Sequence, residues 1–305
     1  MTIQEFIPKV FNGDGSMLIG CVCVGSISVG GVSSASSRYR DSIFRTQANL
    51  VRMALVILCL IGSHGELKSQ EKLDSGSSNS PVFDPSDGSQ VAALLKPFRE
   101  VSEKWQDDVS KLASENEGRG GPEHVLFLGS SSFRLWDSLP EDLSPYSVIK
   151  RAYGGAKYHD LAIYTPDLIR GLRFRKAVVF IANDITGKDD DTDPVVVGKL
   201  ARLVVEQLRR EQPGAEIYLL AVTPTPSRYA YWPRIQQTNR ELRSIAQNLR
   251  GVHYIPTSYA FLDADGEPKA EYFVEDKLHL NAAGYRVWAE LIKCSLEVSE
   301  LSDGR

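Results

Sequence analysis

The chain has 305 residues, of which 42% are hydrophobic and 24% charged, and its net charge at pH 7 is −4. This composition is typical of a folded globular protein, and the length allows one good-sized domain with additional segments. Because the chain is slightly acidic and its Lys and Arg residues are scattered, the sequence offers no basic surface for a nucleic-acid partner.

Residues 1–90 are predicted to form an N-terminal extension that carries a secretory signal. The apolar run 53–62 follows two arginines and matches the core of such a signal, but it is too short for a stable membrane span. We therefore expect export to the periplasm or the cell exterior, with a cytoplasmic location as the alternative. Because another apolar stretch, 17–34, precedes the run, Met53 is a candidate for the true start. The alternative is an extension whose apolar runs are incidental. Residues 64–90 are rich in Ser, Gly, Asp and Pro, which predicts a flexible linker.

The folded domain is predicted to cover residues 91–298, followed by a tail of residues 299–305. Of the four cysteines only Cys294 lies in this domain, so no internal disulfide is expected there. Pro97 is placed to open the first helix, because apolar residues then recur at steps of three and four. These residues are Phe98, Val101, Trp105, Val109 and Leu112.

Five short apolar runs then alternate with helical patterns, which predicts a parallel sheet covered by helices on both faces. The predicted strands are 125–128, 147–149, 177–181, 217–222 and 252–255. Asp193 and Pro194 are predicted to cap and open the helix after the third strand. Another helix is expected at about 234–249, and the last from Asn281 as N-cap to about residue 296. The predicted fold class is therefore α/β, a three-layer α/β/α sandwich.

Polar residues follow the predicted strands at the turns into the next segment. Ser130–Ser132 follow the first strand, Gly154 and Gly155 the second, and Asn183 the third. Because the carboxyl ends of parallel strands share one edge of a sheet, these turns are expected to meet. They can supply a hydroxyl nucleophile, backbone N–H groups and a side-chain amide, which are groups that acyl transfer needs.

A base for such a nucleophile is available near the C-terminus. Asp276 stands three residues before His279 in the run Asp-Lys-Leu-His. An aspartate at this distance can hold the imidazole in one tautomer while the histidine acts as general base and then acid.

These blocks, in this order, resemble the SGNH (GDSL-type) hydrolase family over about residues 120–297. The resemblance implies that Ser131 is the nucleophile. It also implies that the oxyanion hole is formed by the Ser131 N–H, the Gly155 N–H and the Asn183 side chain. The fold it implies is a flavodoxin-like sandwich with a five-stranded parallel sheet. The fourth block would supply Asp276 and His279.

Two positions depart from the family pattern. Ser130 stands where the family has an aspartate beside the nucleophile, and Ile181 replaces the glycine of the Gly-x-Asn-Asp block. Because isoleucine cannot adopt conformations that are open to glycine, the second replacement bears on the backbone path of that turn.

Two further residues are candidates for the substrate cleft, namely Arg134, which follows the nucleophile, and Trp232, which precedes a helix. Both lie in stretches that resemble a bacterial subgroup of the same family. An aromatic ring such as that of Trp232 stacks on sugar faces and also buries acyl chains. The alternative for Trp232 is core packing or the anchoring of a loop.

Each site residue also has a purely structural explanation when it is taken alone. Ser131 and Asn183 could be helix N-caps, Gly155 an ordinary turn glycine, and His279 a surface or capping side chain. The four blocks in order favour catalysis over these explanations. No metal or organic cofactor is expected, because the acidic run 189–191 lacks the glycine and glutamate pattern of a calcium loop.

The predicted function is serine-dependent hydrolysis of carboxylic esters through an acyl-enzyme. The expected substrate is a small-molecule or carbohydrate ester with a short acyl group. One alternative is a lysophospholipase or thioesterase that uses the same site. The other is a non-catalytic binding protein that keeps the fold, because fold alone does not fix function.

Overall fold

The computed structural model describes residues 83–303 and two short segments near the N-terminus. These segments, β1 (Val10–Phe11) and β2 (Met17–Leu18), pair in antiparallel fashion. They belong to a unit formed by residues 1–78, separate from the unit formed by 79–305. The predicted signal segment 53–62 and most of the predicted linker lie outside the described residues.

A five-stranded sheet forms the centre of the second unit. Its strands are β3 (His124–Gly129), β4 (Ser147–Ala152), β5 (Lys176–Phe180), β6 (Glu216–Leu220) and β7 (Val252–Ile255). All neighbouring strands are parallel, and their order across the sheet is β4-β3-β5-β6-β7. The predicted five-stranded parallel sheet is confirmed.

Helices cover both faces of this sheet. The α-helices are α1 (Gly88–Leu95), α2 (Arg99–Ser102), α3 (Gln106–Ala113), α4 (Ser131–Arg134), α5 (Leu139–Asp142), α6 (Tyr158–Ile169), α7 (Pro194–Glu211), α8 (Trp232–Asn248), α9 (Ser258–Phe261) and α10 (Ala282–Asp303). The 3₁₀ segments are Lys96–Phe98, Glu103–Trp105, Pro226–Tyr231 and Ala270–Tyr272. None of the helices in the described part of the chain is both long and apolar enough to cross a membrane.

The hydrophobic core lies in two main layers, one on each face of the sheet. Alternate residues of a strand point to opposite faces, so Leu126 and Leu128 of β3 pack with α6, α7 and α8. Val125 and Phe127 of the same strand pack against aromatic residues of α4 and α10. This arrangement confirms the predicted three-layer α/β/α sandwich.

The segment before β3 differs from the single helix predicted to open at Pro97. Short α-helical and 3₁₀ pieces alternate from residue 88 to residue 113. Because a 3₁₀ turn holds about three residues instead of 3.6, the predicted apolar stripe changes phase, and Val101 is 53% exposed. Ser102 is buried in its place, and its hydroxyl donates to the Asp160 carboxylate at 2.6 Å. Asp87 caps α1, so helical structure begins inside the predicted linker.

The last helix is longer than the sequence pattern indicated. Asn281 caps it as predicted, and the Asn281 side-chain oxygen accepts from the Ala283 N–H at 2.9 Å. The helix continues to Asp303 instead of ending near residue 296. Ser299, in the predicted tail, is buried and its hydroxyl pairs with the hydroxyl of Tyr218 in β6.

The order in which the chain adds strands reverses between β3 and β5. The chain passes from β3 to β4 on one side of this point, and from β5 to β6 and β7 on the other side. A crevice opens at the carboxyl ends of the strands at such a switch point. Gly129 ends β3 there, and a Cβ at this position would lie 2.3 Å from the Phe180 carbonyl oxygen. Only glycine permits this close approach, which brings Ser131 and Asn183 to the same crevice.

A buried carboxylate joins two of the turns at this edge. Asp184 is 3% exposed, and the Tyr158 N–H at the start of α6 lies 3.2 Å from both of its carboxylate oxygens. The Thr192 N–H donates to the Asp184 carbonyl at 2.9 Å. Burial disfavours the charged form and raises the pKa of Asp184 to about 7.

The Asp184→Asn variant is expected to change how the free energy of unfolding depends on pH. The folded state holds this proton more tightly than the unfolded chain does, so Asp184 stabilises the fold below its ordinary pKa of 3.8 and loses that contribution as pH rises through about 7. Urea unfolding of both proteins at about pH 5 and pH 8 should therefore show the wild type losing stability relative to the variant. The exposed Asp189→Asn serves as control, and a wild-type-to-variant difference that is the same at both pH values would contradict the expectation.

Candidate active site

A serine, a histidine and an aspartate form a continuous hydrogen-bonded chain in the crevice. Ser131 is the first residue of α4, directly after the turn that ends β3. Its Oγ lies 3.0 Å from Nε2 of His279. The His279 Nδ1 lies 2.6 Å from an Asp276 carboxylate oxygen. The three residues, which are up to 148 positions apart in sequence, thus have the contacts of a nucleophile, a base and an orienting acid.

The tight turn that carries Asp276 and His279 is stabilised by its own backbone. The second carboxylate oxygen of Asp276 accepts from the Leu278 and His279 N–H groups at 2.8 and 2.9 Å. The Val274 N–H donates to the His279 carbonyl at 2.9 Å. Lys277 completes the turn with φ of 56°, and within the described part of the chain it is the one non-glycine residue with positive φ. The turn therefore fixes the carboxylate relative to the imidazole.

These contacts also keep Asp276 ionised. Partial burial acts to raise its pKa, but the hydrogen bonds from the His279 side chain and from the two backbone N–H groups outweigh burial, so the pKa of Asp276 lies below its ordinary value. A carboxylate that stays charged at neutral pH can stabilise the positive charge that the imidazole acquires when it takes a proton.

The backbone around Ser131 connects the nucleophile to the neighbouring strand. The Ser130 N–H donates to the carbonyl of Phe180, the last residue of β5, at 3.3 Å. Ser130 is 1% exposed and extended, with φ of −106° and ψ of −158°. The serine that replaces the family's aspartate is therefore a buried residue at the cavity. Ser131 N–H, at the first helical position, has no acceptor within its own helix.

Asn183 lies on the opposite side of the crevice, in the turn after β5. Its side-chain Nδ2 donates to the Ala156 carbonyl at 3.0 Å, which links this turn to the one after β4. Its Oδ1 accepts from Arg228 at 2.9 Å. The replacement of glycine by Ile181 does not disturb the turn, because Ile181 has no positive φ and its side chain packs in the core layer of α6 to α8.

Gly155 adopts the left-handed backbone conformation that is typical of a turn glycine. Its φ is 75°, and a Cβ at this position would lie 3.2 Å from the ring of Trp105. Gly155 is not among the described residues that line the cavity beside Ser131. Its connection to the site runs through the next residue, Ala156, whose carbonyl accepts from Asn183.

The two cleft candidates differ in position. Trp232 is 6% exposed and packs with Ile185, Val222 and Ile235, so it is a core residue. It is not among the described residues that line the cavity beside Ser131. The second explanation given for this tryptophan, core packing, is the one that fits. Arg134 is exposed at the surface. Its guanidinium lies beside Gly154, since a Cβ added to Gly154 would be 3.3 Å from the Nε of Arg134.

Arg228 is the site residue that the sequence did not single out. It lies in the 3₁₀ segment Pro226–Tyr231 and lines the cavity. Its guanidinium donates to the Ala182 carbonyl at 2.6 Å and to Asn183 at 2.9 Å. One feature of the sequence could have indicated it. Arg228 follows the end of β6, on the same edge of the sheet as the other polar turns.

The cavity beside Ser131 is small. Its volume is about 20 Å³, whereas one buried water needs about 10–15 Å³ on the same scale. Fourteen residues line it, namely Ser130, Ser131, Ser132, Phe180, Ala182, Asn183, Thr223, Thr225, Arg228, Phe273, Leu278, His279, Leu280 and Trp288. The walls thus combine aromatic rings with the polar groups described above.

The acidic loop after Asn183 has structural contacts. Asp191 accepts from the Thr186 and Gly187 N–H groups at 2.7 and 2.8 Å. Asp190 pairs with Lys157 at 2.8 Å. Among residues 83–303, no group of three or more His, Cys, Asp or Glu side chains is arranged to hold a metal ion.

The domain is similar to solved bacterial structures. A protein from Streptococcus pneumonia, provisionally described as a platelet activating factor, gives a TM-score of 0.57 at 22% identity over 67% of this chain and 99% of that protein. A provisionally described acylhydrolase from Bacteroides fragilis gives 0.54 at 18% identity, over 62% and 94%. A GDSL-like lipase from Bacteroides thetaiotaomicron gives 0.51 at 15% identity, over 65% and 98%. At these identities the likeness shows the fold alone. A search of curated proteins found no match.

The sequence profile of one family matches residues 117–287, more than half of the 305-residue chain. The matched region contains all four blocks identified in the sequence, including the serine turn and the Asp276–His279 turn. The chain therefore belongs to the GDSL-like lipase/acylhydrolase family.

Proposed function

We propose that this protein is a serine esterase that hydrolyses carboxylic esters through an acyl-enzyme on Ser131. The observation that carries the proposal is the hydrogen-bonded chain from the Ser131 hydroxyl through His279 to Asp276. An imidazole within 3.0 Å of a hydroxyl can take its proton during attack. Membership of an acylhydrolase family supports this chemistry.

In the first half of the reaction, Ser131 Oγ attacks the ester carbonyl carbon while His279 Nε2 takes the hydroxyl proton. The tetrahedral intermediate collapses when the bond to the alcohol oxygen breaks and His279 returns the proton to that oxygen. The alcohol leaves, and the acyl group remains on Ser131.

In the second half, a water molecule gives a proton to His279 and its oxygen attacks the acyl carbon. The bond to Ser131 Oγ then breaks, His279 returns the proton to that oxygen, and the carboxylic acid leaves. The oxyanion formed in both halves would be stabilised by the Ser131 N–H and the Asn183 side-chain amide, which both line the cavity. The resemblance to the family adds the Gly155 N–H as the third donor. The Asn183 amide has one N–H on Ala156 and a second N–H that it can offer to the oxyanion.

The substrate that fits best carries a short acyl group on a polar alcohol. The cavity beside Ser131, at about 20 Å³, is only slightly larger than one buried water needs, which favours a small acyl group over a long chain. The loop after Asn183 is exposed and charged at Lys188, Asp189 and Asp190. A polar surface next to the site suits a carbohydrate or another small alcohol better than a lipid.

Ser131→Ala and His279→Ala are each expected to lower the hydrolysis of p-nitrophenyl acetate by about 10⁴-fold or more, because each variant removes a member of a unit that acts together. Stopped-flow measurement of the burst and the steady rate, with circular dichroism to confirm folding, checks this expectation. The exposed Ser110→Ala should behave as wild type. Folded wild type that neither hydrolyses the ester nor reacts at Ser131 with a serine-directed phosphonate would instead favour a binding protein.

Asn183→Ala is expected to lower kcat by about 10² to 10³ with a much smaller effect on KM, because an oxyanion donor acts mainly in the transition state. Steady-state kinetics on the acetyl ester measure both constants, and Asn248→Ala on the exposed side of α8 is the control. An Asn183→Ala protein with normal kcat would remove Asn183 from the oxyanion hole.

The kcat/KM for p-nitrophenyl esters is expected to fall as the acyl chain grows from acetyl to octanoyl, because the cavity beside Ser131 is small and offers little apolar surface to bury added methylene groups. An enzyme that buries the chain would show the opposite trend, gaining about 0.8 kcal/mol for each buried CH₂. Kinetics on an acetyl, butyryl, hexanoyl and octanoyl series distinguish the two. Rates that rise through the series would support the lysophospholipase or thioesterase alternative.

A further inference from the structure

The 3₁₀ segment Pro226–Tyr231 connects the two halves of the site. At one residue, the Ser227 N–H donates to the Lys277 carbonyl at 3.1 Å, in the turn between Asp276 and His279. At the next residue, the Arg228 guanidinium donates to Ala182 and Asn183 in the turn after β5. The segment therefore contacts both the general-base turn and the amide side of the crevice.

We propose that Arg228 is a positioning residue, which fixes the side-chain amide of Asn183 in the one orientation that presents an N–H to the reacting carbonyl. The proposal rests on the proposed function, in which Asn183 donates to the oxyanion. Arg228 acts through Asn183 in this scheme and does not itself bond to the reacting atoms.

The need for such a residue follows from the chemistry of the amide. The oxygen and nitrogen of an asparagine side chain are similar in size, so the group can rotate by half a turn at little steric cost. In the rotated state the oxygen, an acceptor, would face the negative oxyanion. The partners of the amide must therefore select one orientation.

The two partners of Asn183 make the same selection. Arg228 is a donor only, since a guanidinium has no acceptor, and it satisfies Oδ1 at 2.9 Å. The Ala156 carbonyl is an acceptor only, and it satisfies Nδ2 at 3.0 Å. Rotation would place oxygen against oxygen at Ala156 and N–H against N–H at Arg228. The remaining Nδ2 hydrogen is then held in position to donate.

The guanidinium also holds the backbone that carries this amide. Its second contact, to the Ala182 carbonyl at 2.6 Å, is charge-assisted and fixes the residue before Asn183. A planar fork with two donors matches two adjacent acceptors, which a lysine ammonium does not reproduce. The positive charge further polarises the amide to which it is bonded.

Nearby acidic groups are occupied by other partners. Asp191 accepts from the N–H groups of Thr186 and Gly187 and lies 3.7 Å from Arg234. Asp184 accepts from the Tyr158 N–H. The Arg228 fork is thus directed to two neutral oxygens of the Ala182–Asn183 turn, where it can determine their geometry.

A double-mutant cycle in the full-length chain tests the proposal. Arg228→Ala should lower kcat on p-nitrophenyl acetate by about tenfold or more, with KM changed by less than about threefold. Because Arg228 acts through Asn183, the double variant should be no slower than Asn183→Ala alone. Arg240→Ala, exposed on α8, should retain wild-type rates.

Multiplicative losses of kcat in the double variant, or an Arg228→Ala protein with normal kcat, would overturn the proposal. If Arg228→Ala does not fold by circular dichroism, the cycle is repeated with Arg228→Lys, which keeps the charge and loses the fork. That variant should lose part of kcat in the wild-type background and none in the Asn183→Ala background. Normal activity of Asn183→Ala would reject both the positioning role and the oxyanion role of Asn183, whereas an active Ser131→Ala would reject the proposed hydrolysis at this serine.

Discussion

The site depends on how closely two parallel strands approach each other at their carboxyl ends. Gly129 and Phe180 meet with no space for a side chain, since a Cβ on Gly129 would lie 2.3 Å from the Phe180 carbonyl. The hydrogen bond from the Ser130 N–H to the same carbonyl continues this contact past the end of the ladder. The serine turn and the asparagine turn therefore leave the sheet side by side, which places Ser131 and Asn183 at one cavity.

Hydrogen bonds between turns fix the parts of the site that the apolar core does not contact. The core layers fix the strands and helices, but the turns at the sheet edge are joined by hydrogen bonds from Asn183 to Ala156, from Tyr158 to Asp184 and from Ser227 to Lys277. Each bond links a turn after one strand to a segment from a different part of the chain. Relative positions within the crevice are thus set by directional contacts, which tolerate less displacement than packing does.

Features with a local cause were predictable from the sequence. The strands follow from short apolar runs, and Asp193 and Asn281 cap their helices through bonds to N–H groups two residues ahead. The four ordered blocks likewise identified the family. Long-range contacts were not predictable in this way. Nothing local to Arg228 indicates that its guanidinium reaches Asn183, 45 positions away, and Trp232 carries no local sign of its burial beside Ile185.

The contact between Trp105 and Gly155 has a consequence for where this domain begins. Trp105 belongs to the helical segment before β3, outside residues 117–287 that match the family. Its ring lies against the glycine turn and tilts over Tyr153, with ring centroids 5.4 Å apart. The segment from α1 to α3 therefore supplies one wall of the turn that follows β4. The family match, residues 117–287, is therefore shorter than the compact unit of residues 79–305, and a chain trimmed to residue 117 would lose the ring that packs beside Gly155.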